Sequence, residues 1–225
     1  MREFEASLQA TTFIDSTHPD IASYTEANSS ANASDMDNAV QLYYAVRDDI
    51  RYNPYAIDSS PRGFTASATL AAREGWCVPK AILLAACARN AGIPARVGFA
   101  DVINHLSSEK LRQNMGSNVF IWHGYTALYL EGQWVKATPA FNIELCEKAG
   151  IHALEFDGLQ DSIYHAYDKA GNKHMEYQQL RGEFDDVPRV QMLADFRNFY
   201  HWGQHLDDAG SADDFASDVA KEQHS

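Results

Sequence analysis

Helical segments in the first half of the chain and a β-hairpin past its middle predict a fold that mixes helices with antiparallel strands, and two stretches carry that expectation. Cys77 to Ala91 (CVPKAILLAACARNA) reads as a helix with clear boundaries. Pro79 is tolerated only in a first turn, Asn90-Ala91-Gly92 supplies a stop, and Pro94 prevents continuation. Ala81 to Ala88 is apolar on every side, so this helix should be central and buried. The second stretch is Trp122 to Leu130 (WHGYTALYL) followed by Trp134 to Thr138. These two β-rich runs are joined by Glu131-Gly132-Gln133, a hairpin signal.

The remaining elements are arranged around these two. The first 20 residues read as extended, with Phe4, Ala6 and Leu8 alternating and a turn at His18-Pro19. Ser29 to Ser34 is a weak polar linker. Asp35 or Asp37 then caps a helix whose apolar positions Val40, Tyr43, Tyr44 and Val46 recur at helical spacing until Asn53-Pro54. A short helical run is expected over Thr65 to Arg73, a strand over Arg96 to Ala100, and a polar excursion with a short helix over Asp101 to Asn118. Further helices are expected at Ile143 to Ala149 and Met175 to Arg181, whereas Asp157 to Asn172 is dense in turn residues. The implied organisation is an extended segment and linker over 1–34, a core over 35–142, an extension packed on it over 143–209, and an acidic disordered tail over 210–225.

Composition narrows the function classes. The 225 residues carry 18 Lys plus Arg against 31 Asp plus Glu, a net charge of −13. Such a surface repels phosphate backbones and anionic lipid heads, so neither nucleic acid nor membrane is an expected partner. No apolar run approaches the roughly 20 residues of a spanning helix, and Met1 to Leu8 has acids where a secretory signal is apolar. A cytoplasmic protein is the default expectation. Three cysteines without paired spacing suit reduced thiols, and no CxxC pair suggests structural zinc. No cofactor or metal is expected. His201 and His205 stand at i, i+4, but no companion motif makes them ligands.

Chemistry concentrates at Cys77. A thiol attacks as its thiolate, and the unpaired N–H groups of a helix start favour that anion. The same groups can receive the oxyanion formed when the thiolate adds to an amide carbonyl. His123 opens the first hairpin strand beside Gly124, where an imidazole can reach a helix terminus. Together they read as nucleophile, base and rigid frame. Trp76 and Trp122, flanking the pair, are expected to wall a substrate groove.

The run Thr69-Leu70 to Gly75-Trp76-Cys77, then Gly92-Ile93-Pro94-Ala95-Arg96-Val97, then His123 leading to Tyr129-Leu130-Glu131-Gly132-Gln133-Trp134-Val135, resembles the core of the transglutaminase-like superfamily. The helix ending in Ile50-Arg51-Tyr52 is similar to that family's lead-in, and the resemblance covers about residues 39 to 142. It implies a papain-like α+β fold, with a cysteine-bearing helix packed on an antiparallel sheet that bears the histidine. It also implies acyl transfer through a thioester, ending on water or an amine, with a peptide or other amide as substrate. One position departs from the pattern. Where the family places an aspartate to orient the histidine, this chain has Thr138, in Ala137-Thr138-Pro139. Thr138 itself, Asn142 in a papain-type amide role, or a carboxylate such as Asp157 or Glu144 are the alternatives for that task. The same departure motivates a second reading, a peptide-binding module that keeps the fold without turnover. Arylamine acetyl transfer is a third.

Overall fold

The computed structural model describes residues 4–104, 108–163, 168–172, 174–200 and 215–222. In chain order they form α1 (Pro19–Ala27), α2 (Asp35–Asp49), β1 (Arg51–Tyr52), α3 (Ala66–Ala72), β2 (Glu74–Gly75), α4 (Cys77–Asn90), β3 (Ala95–Asn104) and α5 (Glu109–Met115). They continue with β4 (Val119–Leu130), β5 (Gln133–Ala137), α6 (Ile143–Lys148), β6 (Met175–Phe184), α7 (Arg189–Phe199) and α8 (Phe215–Glu222). A 3-10 turn spans Pro61–Phe64.

Helix α4 is the axis of the molecule. Every residue from Cys77 to Arg89 is buried, as its all-round apolar sequence requires. Burial of Ile82, Leu83 and Leu84 stabilises the fold by about 1.5–3 kcal/mol apiece. The helix stops where Gly92, at φ +84°, turns the chain toward Pro94 and β3. Two basic side chains are buried on this helix, Arg89 at its end and Lys80 in its first turns. Lys80 is fully buried, and its Nζ donates to the Arg47 carbonyl (2.8 Å) and the Ile50 carbonyl (2.5 Å). It thereby caps the end of α2, satisfying carbonyls that the helix leaves unpaired.

The main sheet has the order β5-β4-β3-β6, and every pairing is antiparallel. Helix α4 lies against β4, where Thr126 Oγ1 donates to the Ala81 carbonyl at 2.9 Å. Gly124 and Gly98 make the close approaches. A Cβ on Gly124 would stand 2.9 Å from Val78 Cα, and one on Gly98 would strike the Tyr125 ring. A second, two-residue parallel pairing joins β1 to β2 and sets Tyr52 opposite Gly75, two residues before Cys77. The α+β architecture, with a cysteine-bearing helix packed on an antiparallel sheet, is therefore as expected.

Five segments differ from the sequence expectation, the first being Asp101–Asn104, which continues strand β3 instead of opening the polar excursion. His18-Pro19 begins a helix: the His18 side chain accepts from Asp20 N and Pro19 occupies the first helical position, where its missing N–H costs nothing. Residues 4–18 form turns, not an extended run. Met175 to Arg181 belongs to strand β6. Its Glu, Gln, Leu and Arg are good helix formers, and pairing along β3 overrides them. The tail over 210–225 contains α8, whose Phe215 and Val219 are buried, Phe215 packing edge-on against Tyr52 and Tyr55. His201 and His205 lie outside the described residues. No described helix is long and apolar enough to cross a membrane.

Candidate active site

Cys77 is the first residue of α4, and the residue before it, Trp76, gives the helix no side-chain cap. Cys77 Sγ is approached by the backbone N–H groups of Gly124, Val78 and Cys77 itself. These favour a thiolate, as a helix start should, but Cys77 is only 6% exposed and burial outweighs them. The net effect pushes the thiol up to about 11. The expected lowering of the Cys77 pKa is thus reversed in this closed arrangement, because sequence position fixes the helix dipole and not the depth of burial.

His123 is one peptide bond from the Gly124 amide that faces the sulfur. Its side chain is 3% exposed and its Nε2 has no hydrogen-bond partner among the described residues. Burial, with His174 beside it, brings the imidazole down to about 4. Cys77 and His123 therefore meet neutral solution as thiol and neutral imidazole. A buried, unpartnered imidazole nitrogen is costly, and it is free to accept a proton.

The strand reaches His123 through a β-bulge. Ala100 pairs with His123 and Val102 with Phe120, so Ile121 and Trp122 together oppose Asp101 alone. Trp122 sits at φ +60°, in the left-handed region that a bulky residue avoids. A bulge of this kind re-aims the side chains that follow it. Trp122 itself is 1% exposed, packed against Phe99 and Phe184 with the Arg181 guanidinium 4.7 Å from its ring. It is a core residue in this structure and does not wall a groove. Trp76, 7% exposed, lies between Phe64 and Phe196.

The candidates for orienting His123 are all engaged elsewhere. Thr138 Oγ1 donates to the Ile163 carbonyl at 3.0 Å, and Asn142 Oδ1 accepts from Tyr52 N at 3.1 Å. Asp157 accepts from the amides of Leu159 and Gln160, and Glu144 pairs with Lys148. The neighbour that is present is His174, 2% exposed and stacked on Phe141. It was missed because a single histidine just before a strand has no spacing signal. Tyr200 has no sequence signal either, and Tyr52 is marked in the sequence only by its place in the lead-in. Both are buried close enough to Cys77 for its charge to raise their pKa values, with burial the larger cause. Among the described residues no group of three His, Cys, Asp or Glu side chains gathers as a metal site.

Compared with known proteins, the family model described as the transglutaminase-like superfamily matches residues 21–139, just over half of the chain. No curated protein matches. A solved structure described as a candidate cysteine protease from Cytophaga hutchinsonii is similar at 16% identity and a TM-score of 0.49, over 80% of this chain and 54% of that one. This chain thus spans about half the length of that structure.

Proposed function

This chain belongs to the transglutaminase-like superfamily, and from that premise we propose that it is a cysteine-dependent acyl-transfer enzyme acting on amides, with water as the simplest acceptor. Cys77 is the nucleophile and His123 the base. His123 takes the thiol proton as Cys77 Sγ adds to the amide carbonyl. Backbone N–H groups at the uncapped start of α4, that of Cys77 first, receive the oxyanion. On collapse the C–N bond breaks, and the imidazolium returns its proton to the leaving amine. A water then gives a proton to His123 and attacks the thioester, and the proton passes back to sulfur as the acid leaves.

The observation that carries this reading is the close packing of Gly124, the residue after His123, on the start of α4, where a Cβ on Gly124 would stand 2.9 Å from Val78 Cα. The neutral resting state fits a general-base route better than a preformed ion pair. Only about one thiol in 10⁴ is ionised at pH 7 when its pKa is near 11, so attack depends on proton transfer to His123. With Thr138 and Asn142 bonded elsewhere, the pair operates without a charged third member.

The rate of Cys77 alkylation by iodoacetamide against pH, in wild type and His123→Ala, tests the pairing. Peptide, glutamine-amide and isopeptide substrates test turnover. Alkylation at pH 7 at least tenfold slower in His123→Ala, with one amide class cleaved and Cys77→Ala inactive, is the expected outcome. Equal alkylation in both proteins and no turnover would instead favour the peptide-binding module, the reading motivated by Thr138 in the aspartate position.

A further inference from the structure

The bulge before His123 leaves two backbone donors outside the strand ladder, and both are satisfied by side chains. Ile121 N donates to Tyr200 Oη at 2.8 Å, and Trp122 N donates to Asp101 Oδ1 at 3.0 Å. Asp101 is in turn held by Arg181, whose Nε and Nη2 donate to its two carboxylate oxygens. Arg181 Nη1 donates to Asp195 Oδ2 at 2.7 Å, and the same oxygen accepts from Trp122 Nε1 at 2.8 Å. The ring is closed: carboxylate, guanidinium, carboxylate and indole, all fixing one residue. That residue is Trp122, in a backbone conformation that costs about 1–3 kcal/mol and persists only where the surroundings over-determine it.

From this geometry we infer that Asp101, Arg181 and Asp195 are positioning residues for His123, which they aim through the backbone of Trp122. The inference rests on the reading that His123 serves Cys77. Arg181 and Asp195 come from β6 and α7, outside the stretch 21–139 that the family model matches. The C-terminal extension is thus part of the working site, though none of these three side chains touches the sulfur. Bidentate pairing on Asp101, with the third donor on Asp195, uses the planar fork of arginine. A lysine cannot span both carboxylates with the same geometry.

The test is the second-order rate constant for Cys77 alkylation at pH 7 in the full chain, measured at least 10 °C below each variant's unfolding midpoint. The variants are Asp101→Ala, Arg181→Met and Arg181→Lys, each alone and combined with His123→Ala. At least a tenfold loss is expected for Asp101→Ala and for Arg181→Met, with partial recovery in Arg181→Lys. Adding His123→Ala to either of the first two should cost nothing more, because a misaimed imidazole is already lost. A purely structural role lowers the midpoint and leaves the His123-dependent rate intact. Alkylation within twofold of wild type in folded Asp101→Ala, or losses that multiply with that of His123→Ala, overturns the inference while His123 keeps its role. If His123→Ala itself alkylates at the wild-type rate, the pairing fails and the inference falls with it. Asp101→Asn, which keeps an oxygen for Trp122 N and removes the charge facing Arg181, serves the same test if Asp101→Ala does not fold.

Discussion

The two halves of the candidate site are held in place by opposite kinds of force. Cys77 is positioned by apolar packing: α4 is buried along its length, and the sulfur's place follows from being first in that helix. His123 is positioned by polar restraint, through a bulge whose strained residue is tied by hydrogen bonds and ion pairs to β3, β6 and α7. Packing is tolerant of chemistry and intolerant of volume. A charged network is the reverse, since losing one partner strands the others. The two sides should therefore fail differently when perturbed.

The largest expected effects are at the two residues the comparison joins. Cys77→Ala and His123→Ala should each lower kcat/KM on a cleaved amide by about 10³-fold or more, with a double variant no worse than either alone, because the pair acts as a unit. His123→Ala also has a stability signature of definite sign. With the folded imidazole near 4 and an unfolded value near 6.5, the unfolded chain binds more protons between those limits. Wild type should lose stability, relative to His123→Ala, as pH falls from about 6.5 to 4, and urea denaturation at several pH values reads it.

Gly124 is where the two sides touch, and volume should break the contact. In Gly124→Ala the new Cβ meets the backbone of Val78 at 2.9 Å, an atom that cannot move without α4. Overpacking of this kind costs about 1–3 kcal/mol. It should also slow Cys77 alkylation several-fold by withdrawing the Gly124 N–H from the sulfur. Thermal unfolding alongside alkylation separates the two effects, and a stability loss with alkylation unchanged would show that the sulfur does not depend on that amide.

How much of this was legible in the sequence follows the same division. The helix was readable because its signals are local: Pro79 in the first turn, Gly92 and Pro94 at the stop, and no polar break between Ala81 and Ala88. The hairpin was readable for the same reason, through Glu131-Gly132-Gln133. The bulge and its clamp were not. Asp101 and Arg181 are 80 residues apart in sequence, and neither has a partner nearby that would mark it. Strand β6 carries the signal of a helix because helix propensity is local, whereas the ladder on β3 that overrides it is not. Adjacency to His123 makes Trp122 a groove-wall candidate in the sequence, but the bulge turns adjacent residues to different surroundings. Depth of burial, which decides the sign of the Cys77 shift, is a property of the whole fold.

Lys80 sharpens the packing side of the comparison, being a charge inside the helix that holds the thiol. Burial lowers its ammonium to about 7, against about 10.4 in an unfolded chain. Between these values the unfolded state binds more protons, so this group's contribution to stability rises with pH. The buried Cys77, Cys87 and Cys146 thiols, raised to about 11, 12 and 12, act in the opposite direction once unfolded thiols ionise above about pH 8. The quantity to read is therefore the difference between wild type and Lys80→Met. It should grow in favour of wild type by about 2 kcal/mol from pH 7 to 9, and a difference that stays flat would mean that Lys80 remains charged within the helix.

The smallest effects should come from Thr138 and Asn142, two of the four residues considered for the missing third member. Thr138→Ala removes one hydrogen bond to the Ile163 carbonyl and should cost about 1 kcal/mol of stability. Its effect on kcat should stay under about threefold, because that hydroxyl is directed to a carbonyl and not to the imidazole. Asn142→Ala leaves Tyr52 N without its acceptor in a buried position, a larger cost of about 1–3 kcal/mol. It should disturb Tyr52, and hence the surroundings of Cys77, more than it disturbs His123. A loss of kcat beyond tenfold in Thr138→Ala, at unchanged stability, would return Thr138 to the orienting role. It would also mean that His123 is held from the β5 side as firmly as from β3 and the C-terminal extension.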